Sequence, residues 1–181
     1  MTSPLKQKAM LSSRILFICL ALLGLIFYAC AVRPRPVVYE QGTVVAVWNL
    51  ENLSPLKVSH PDLSTFLSDR VAATIKNKGY YNIVERQRLL LVLDELNLGT
   101  SMLVNETTRL KLGRMVGARL MVFGGYLVFA GQMRLNLRLV DVETGGVIKT
   151  AEKTVSATEL TGWLKAAEEG ANELIMDRLS K

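Results

Sequence analysis

Residues 120–140 read LMVFGGYLVFAGQMRLNLRLV, and the reading of this stretch decides the fold. Leu120–Val128 is a continuous apolar strand pattern broken only by Gly124 and Gly125. Ala130-Gly131-Gln132 turns the chain. From Met133 to Val140 the pattern becomes strictly alternating: Met133, Leu135, Leu137 and Leu139 take turns with Arg134, Asn136 and Arg138. Successive side chains on a strand point to opposite faces, so this second strand has one buried face and one wet face. Glu143-Thr144-Gly145-Gly146 is a further turn signal, leading into Val147–Ala157. Three strands in an antiparallel meander result.

The flanks alternate strand with helix. Upstream, Thr43–Trp48 is β-branched and apolar and reads as a buried strand. His60-Pro61-Asp62 opens a helix on which Leu63, Phe66, Leu67, Val71 and Ile75 fall on one face, and Gly79 stops it. Tyr81–Val84 is a short strand followed by a helix over Arg86–Leu96. Asn105 caps another over Glu106–Val116, which carries Leu110, Leu112 and Met115. Downstream, Glu159–Leu179 carries a stripe of Leu160, Trp163, Leu164, Ala167, Ala171, Leu174 and Ile175. The predicted order is β-α-β-α-α-β-β-β-α, a layered α+β or α/β domain with a mixed sheet over residues 43–181.

Before this domain the sequence reads as an address. The net charge of +6 suggests nucleic acid until it is located: Lys6, Lys8, Arg14, Arg33 and Arg35 lie within residues 1–36, which hold no acid. The remainder carries 17 basic and 16 acidic groups, so no nucleic-acid partner is expected. Ile15–Val32 is free of charge and proline after a positive start, the form of an export signal. Phe27-Tyr28-Ala29-Cys30 resembles a bacterial lipobox, with Phe27 and Tyr28 standing where Leu and a small residue are preferred.

Three readings are open: lipidation at Cys30, an uncleaved anchor helix in the inner membrane, and ordinary cleavage after Ala31. All three export the domain. The first divides the chain into a signal over 1–30, a short extended tether over 31–42 and the domain. A multiply acylated Cys30 anchors stably. With Ala31 rather than Asp behind it, the expected site is the periplasmic face of the outer membrane. Arg33-Pro34-Arg35-Pro36 favours an extended path, and the thirteen steps from Cys30 to Thr43 reach at most about 45 Å.

Catalytic chemistry is hard to find. His60 sits before Pro61 in a turn, away from any recognisable nucleophile motif. Gly124-Gly125 and Gly145-Gly146 lack phosphate-loop or dinucleotide spacing. Asp94-Glu95 and Glu168-Glu169 are adjacent helix acids that point about 100° apart. One histidine and two cysteines give no recognisable metal set, and Cys19 reads as filler in the apolar run. Asn52-Leu53-Ser54 and Asn105-Glu106-Thr107 read as turn and cap. No catalytic residue, metal or cofactor is expected.

One helix is more apolar than a core requires. Leu89, Val92, Leu93 and Leu96 make a face, but Leu90 and Leu91 lie at about 100° and 200° from Leu89. Either another part of this chain covers them or they face another protein molecule.

Four segments together carry a family resemblance. Val84-Glu85-Arg86-Gln87-Arg88-Leu89, continuing to Leu93-Asp94-Glu95-Leu96, is similar to the "ER…L…E" signature of the CsgG family of curli-assembly lipoproteins. Val44–Asn52, Val116–Gly125 and Asn136–Gly145 resemble the same family in the right order.

The resemblance implies an exported envelope lipoprotein, non-enzymatic, partnered with other envelope proteins and with copies of itself. Some members form rings that secrete or anchor surface fibres; a related branch activates peptidoglycan synthases. The leading expectation is a structural or accessory component of an envelope complex, and the alternative is a synthase regulator. Pore-forming members insert two long hairpins, whereas Leu120–Val140 holds only two sheet strands and a turn. A pore made by this chain alone is therefore not expected. The short tether also argues against reach to a distant synthase.

Overall fold

The computed structural model describes residues 41–55, 62–95, 106–156 and 159–175. All lie in a compact unit, Tyr39–Lys181, distinct from a unit over Met1–Val38. The elements are β1 (Thr43–Val47), β2 (Glu51–Asn52), α1 (Leu63–Asn77), β3 (Tyr81–Ile83), α2 (Arg86–Glu95), α3 (Glu106–Met115), β4 (Leu120–Phe129), β5 (Gln132–Asp141), β6 (Val147–Val155) and α4 (Leu160–Ile175). The predicted order appears with one addition, the two-residue β2.

The sheet is mixed, in the order β3-β1-β4-β5-β6, with β2 pairing further along β4. β3, β1 and β4 are parallel to one another, and β4, β5 and β6 are antiparallel neighbours. β1 and β2 occupy the same edge of β4 in succession. Between them the Trp48 N–H donates to the Val122 carbonyl at 3.0 Å and the Leu53 N–H to the Tyr126 carbonyl at 2.8 Å.

Helices cover both faces, and each face has its own core. On one face Val45, Val47, Leu120, Val122, Leu135 and Leu137 meet Leu67, Val71 and Ile75 of α1 and Trp163, Ala167 and Ala171 of α4. On the other, Ala46, Met121, Phe123 and Val140 meet Leu89 and Leu93 of α2 and Leu110 and Leu112 of α3. The alternation of β5 is realised as read: Met133, Leu135, Leu137 and Leu139 are buried, while Arg134 and Asn136 are exposed.

Three details depart from the sequence reading. Phe66 is 45% exposed, although it falls near the apolar stripe of α1. The buried arc runs from Leu63 through Thr74, Leu67, Val71 and Ile75 to Ser68, about 140° wide, and Phe66 sits about 60° outside it. The β4–β5 turn has two residues rather than three, because Gln132 pairs with Phe129. Ala130 and Gly131 both take positive φ, 49° and 75°, the conformation that matches the twist of a tight hairpin. Finally, the alternating run Met133–Leu139 predicts a strand of seven residues, too short to cross a bilayer. β4 and β5 instead have ten residues each, long enough to cross by length alone. Their burial in the domain's own sheet, rather than shortness, argues against the pore.

Candidate interaction surface

The motif segments place their polar residues at corners of the fold. Asp141 ends β5 and is buried. Its Oδ1 accepts from the Glu143 N–H at 3.0 Å and from the Thr144 N–H at 2.9 Å and hydroxyl at 3.2 Å. Its Oδ2 lies 2.8 Å from Arg119, which also pairs with Glu143. Asp141 thus fixes the β5–β6 turn and ties it to the start of β4. Val84 donates its N–H to the Val45 carbonyl at 2.9 Å and begins the corner into α2.

Gly124 and Gly125 make room rather than cradle a phosphate. A Cβ on Gly124 would stand 2.3 Å from the Asn136 carbonyl oxygen and 2.9 Å from Leu50, and one on Gly125 would stand 2.9 Å from Leu53. The missing side chains let the Trp48–Leu53 segment close over β4. Its seat is polar as well: the Leu50 N–H donates to Ser68 Oγ at 2.9 Å, and Ser64 Oγ donates to the Leu50 carbonyl.

The helix singled out by composition leaves Leu90 and Leu91 in the open, 50% and 62% exposed. Leu89 and Leu93 are buried beneath them. Among the described residues this chain does not cover the pair. Leu90 forms part of the rim of a groove of about 370 Å³ between α2 and the end of β1, lined by Trp48, Leu50, Leu89, Leu93, Arg86 and Arg109.

A second concavity, about 340 Å³, was not foreseen. It lies where α3 ends its cover of the sheet, and Glu51, Arg109, Asn136, Arg138, Thr150 and Glu152 are among its lining residues. Arg109 is only 7% exposed, pairs with Glu51, and holds its guanidinium 5.9 Å from the Phe123 ring centroid. Arg138 approaches the same ring at 5.8 Å. The aromatic face and the carboxylate together offset the desolvation of a buried cation. The available signal was an arginine beside Leu110 and Leu112 on the apolar side of α3, but nothing in the sequence points it at Glu51, 58 residues earlier.

The catalytic candidates do not converge. Asp94, Glu95, Glu168 and Glu169 are exposed, with Glu168 3.7 Å from Arg70. Asn52 closes a turn, its Oδ1 accepting from the Ser54 N–H at 2.9 Å. Among the described residues, no group of three or more His, Cys, Asp or Glu side chains is placed to hold a metal. Cys19, Cys30, His60, Pro61 and Asn105 lie outside the described residues.

The model of the family described as the curli production assembly/transport component CsgG matches residues 39–134, more than half of the chain. Three of the four motif segments fall inside that match, and Asn136–Gly145 lies beyond it. Among solved structures, the chain is similar to the LpoB C-terminal domain from Salmonella enterica, with 21% identity and a TM-score of 0.54, covering 65% of this chain and 84% of that one. It is also similar to a PelC dodecamer from Paraburkholderia phytofirmans, with 17% identity, a TM-score of 0.50, and 78% and 94% coverage. The lipoprotein GNA1162 from Neisseria meningitidis follows at 14% identity, a TM-score of 0.50, and 62% and 81% coverage. At these identities the likeness is one of fold. None of the curated proteins matches the chain.

Proposed function

The chain belongs to the CsgG family, and on that premise we propose that it is an exported, membrane-tethered accessory or structural component of a cell-envelope complex, acting by contact rather than catalysis. The observation that carries this reading is the family match over residues 39–134, preceded by a positive and then apolar N-terminus. The family is described as a component of curli assembly and transport. The motif residues support a non-catalytic use of the fold: Asp141 and Arg119 hold a turn, and Gly124 and Gly125 seat a neighbouring segment.

Anchoring through lipid on Cys30, at the periplasmic face of the outer membrane, is the finer form of the proposal. Self-association is a second element, and PelC, similar in fold, was solved as a dodecamer. Leu90 and Leu91 are the proposed contact, since large exposed apolar pairs on a soluble domain mark interfaces.

Detergent extraction of tagged chain from envelopes, followed by native mass measurement and identification of co-purifying proteins, tests the reading. The expected result is a species heavier than one chain that contains further copies or other envelope proteins. A lone monomer at native expression would contradict it. Recovery of a peptidoglycan synthase whose activity rises with added chain would favour the regulatory alternative.

A further inference from the structure

The strand directions sort the connections into and out of the five strands on the sheet's main path to one of two ends. β1, β3, β4 and β6 run the same way, and β5 runs against them. The starts of those four strands therefore lie together. This end receives the chain at Gly42, whose N–H donates to the Tyr80 carbonyl at 2.9 Å. It also gathers the α1–β3 corner, the α3–β4 corner and the β5–β6 turn. Arg114 ties the last two together, its Nε donating to the Val142 carbonyl at 3.2 Å. The opposite end collects the β1–α1, β3–α2 and β6–α4 connections and the β4–β5 hairpin tip.

The two ends differ in charge. Among the described residues the entry end carries Lys76, Lys78, Arg114 and Arg119, and its acids there, Asp141 and Glu143, are both paired with Arg119. The far end exposes Asp62, Glu85 and Glu159 beside an exposed cation, Arg88, while Glu51, Arg86 and Arg134 are each held in an ion pair, with Arg109, Asp69 and Glu152 respectively. The entry end also exposes Tyr80, Met115, Val147 and Ile148. Cations interleaved with aliphatic and aromatic side chains are what the headgroup layer of an anionic bilayer binds: the cations meet the surface potential and the apolar groups enter the acyl boundary.

Where the outer chain joins the domain selects this end over the other. Twelve steps of chain lead from Cys30 to Gly42, a reach of at most about 40 Å, and they join the domain at its cationic end. The exposed Phe129 at the hairpin tip is apolar too, but it stands about 30 Å away, at the end of ten-residue β4 and on the acidic side. We infer that the entry end, with Lys76, Lys78, Arg114, Tyr80, Met115 and Val147, rests on an anionic phospholipid surface, leaving the hairpin tip pointed away from it. The inference rests on the proposed tethering, which supplies a bilayer within reach.

The test uses the full chain, with Cys19→Ser, extracted from membranes and returned to vesicles. A single bimane label is placed through Val147→Cys or Phe129→Cys, and the lipids are phosphatidylethanolamine and phosphatidylglycerol carrying brominated acyl chains. Strong quenching at position 147 and little at position 129 is expected. Reversing Lys76, Lys78 and Arg114 to Glu should abolish the quenching at 147 while the chain still floats with the vesicles. Each cation removed lowers the docked-to-lifted ratio by about fivefold.

Quenching at 129 equal to or above that at 147, quenching at neither, or no effect of the charge reversals overturns the inference. Failure of the lipid anchor is read separately, as bimane found on Cys30 by mass spectrometry. The contrast between 147 and 129 is measured however the chain is held to the vesicle.

Discussion

Asp141 does at one position what a loop otherwise needs several residues to do. Two backbone N–H groups, one hydroxyl and Arg119 converge on its buried carboxylate. Asp141→Ala leaves those donors without their acceptor, and the expected loss is about 2–4 kcal/mol, read as a lower urea midpoint with an unchanged slope. Gly124→Ala acts through volume instead. Its Cβ would stand 2.3 Å from a backbone oxygen, which cannot swing aside, so a loss of about 1–3 kcal/mol is expected by the same measurement. Tyr126 makes stability depend on pH. Burial raises its hydroxyl above the ordinary 10.0, so the folded chain holds this proton more tightly than the unfolded chain does. Its contribution is fully present below pH 10 and is lost as pH rises through the raised value. Urea titrations should show the wild type losing stability in that alkaline range and Tyr126→Phe losing less.

Element by element, the sequence is most legible where periodicity is strong. β5 alternates and buries the residues that its pattern nominates, and α4 buries Trp163, Ala167, Ala171 and Leu174 of its apolar stripe while Leu160, Leu164 and Ile175 stay partly buried at its edges. Legibility fails where tertiary placement decides. β2 is two residues long, Glu51 and Asn52, both exposed, and it is a strand only because Gly124 and Gly125 admit its neighbours to the edge of β4. Phe66 satisfies a helical period yet lies beyond the arc that the sheet covers. Within the candidate surface, Leu90 and Leu91 could be found from composition, since a ten-residue helix has no internal use for a third and fourth apolar side. The Glu51–Arg109–Phe123 cluster could not, because it joins three distant segments whose residues are individually ordinary. Leu90→Glu with Leu91→Glu should leave the unfolding midpoint nearly unchanged, as surface substitutions do, while light scattering shows a smaller assembly. A retained assembly mass would remove this pair from the interface.

The described domain is a mixed sheet between two helical layers, with Lys76, Lys78 and Arg114 gathered at the end where β1 starts and Asp62, Glu85 and Glu159 at the other. Its motif residues Asp141 and Arg119 hold a corner together, and Gly124 and Gly125 seat the Trp48–Leu53 segment. A tethered envelope component is defined by where the chain resides and what is attached to it. The intact mass of the chain recovered from fractionated cells tests this most directly. The expected result is a species in the envelope fraction that begins at Cys30 and carries acyl chains, and Cys30→Ser should abolish that mass. A full-length, unmodified chain in the cytosolic fraction would contradict it.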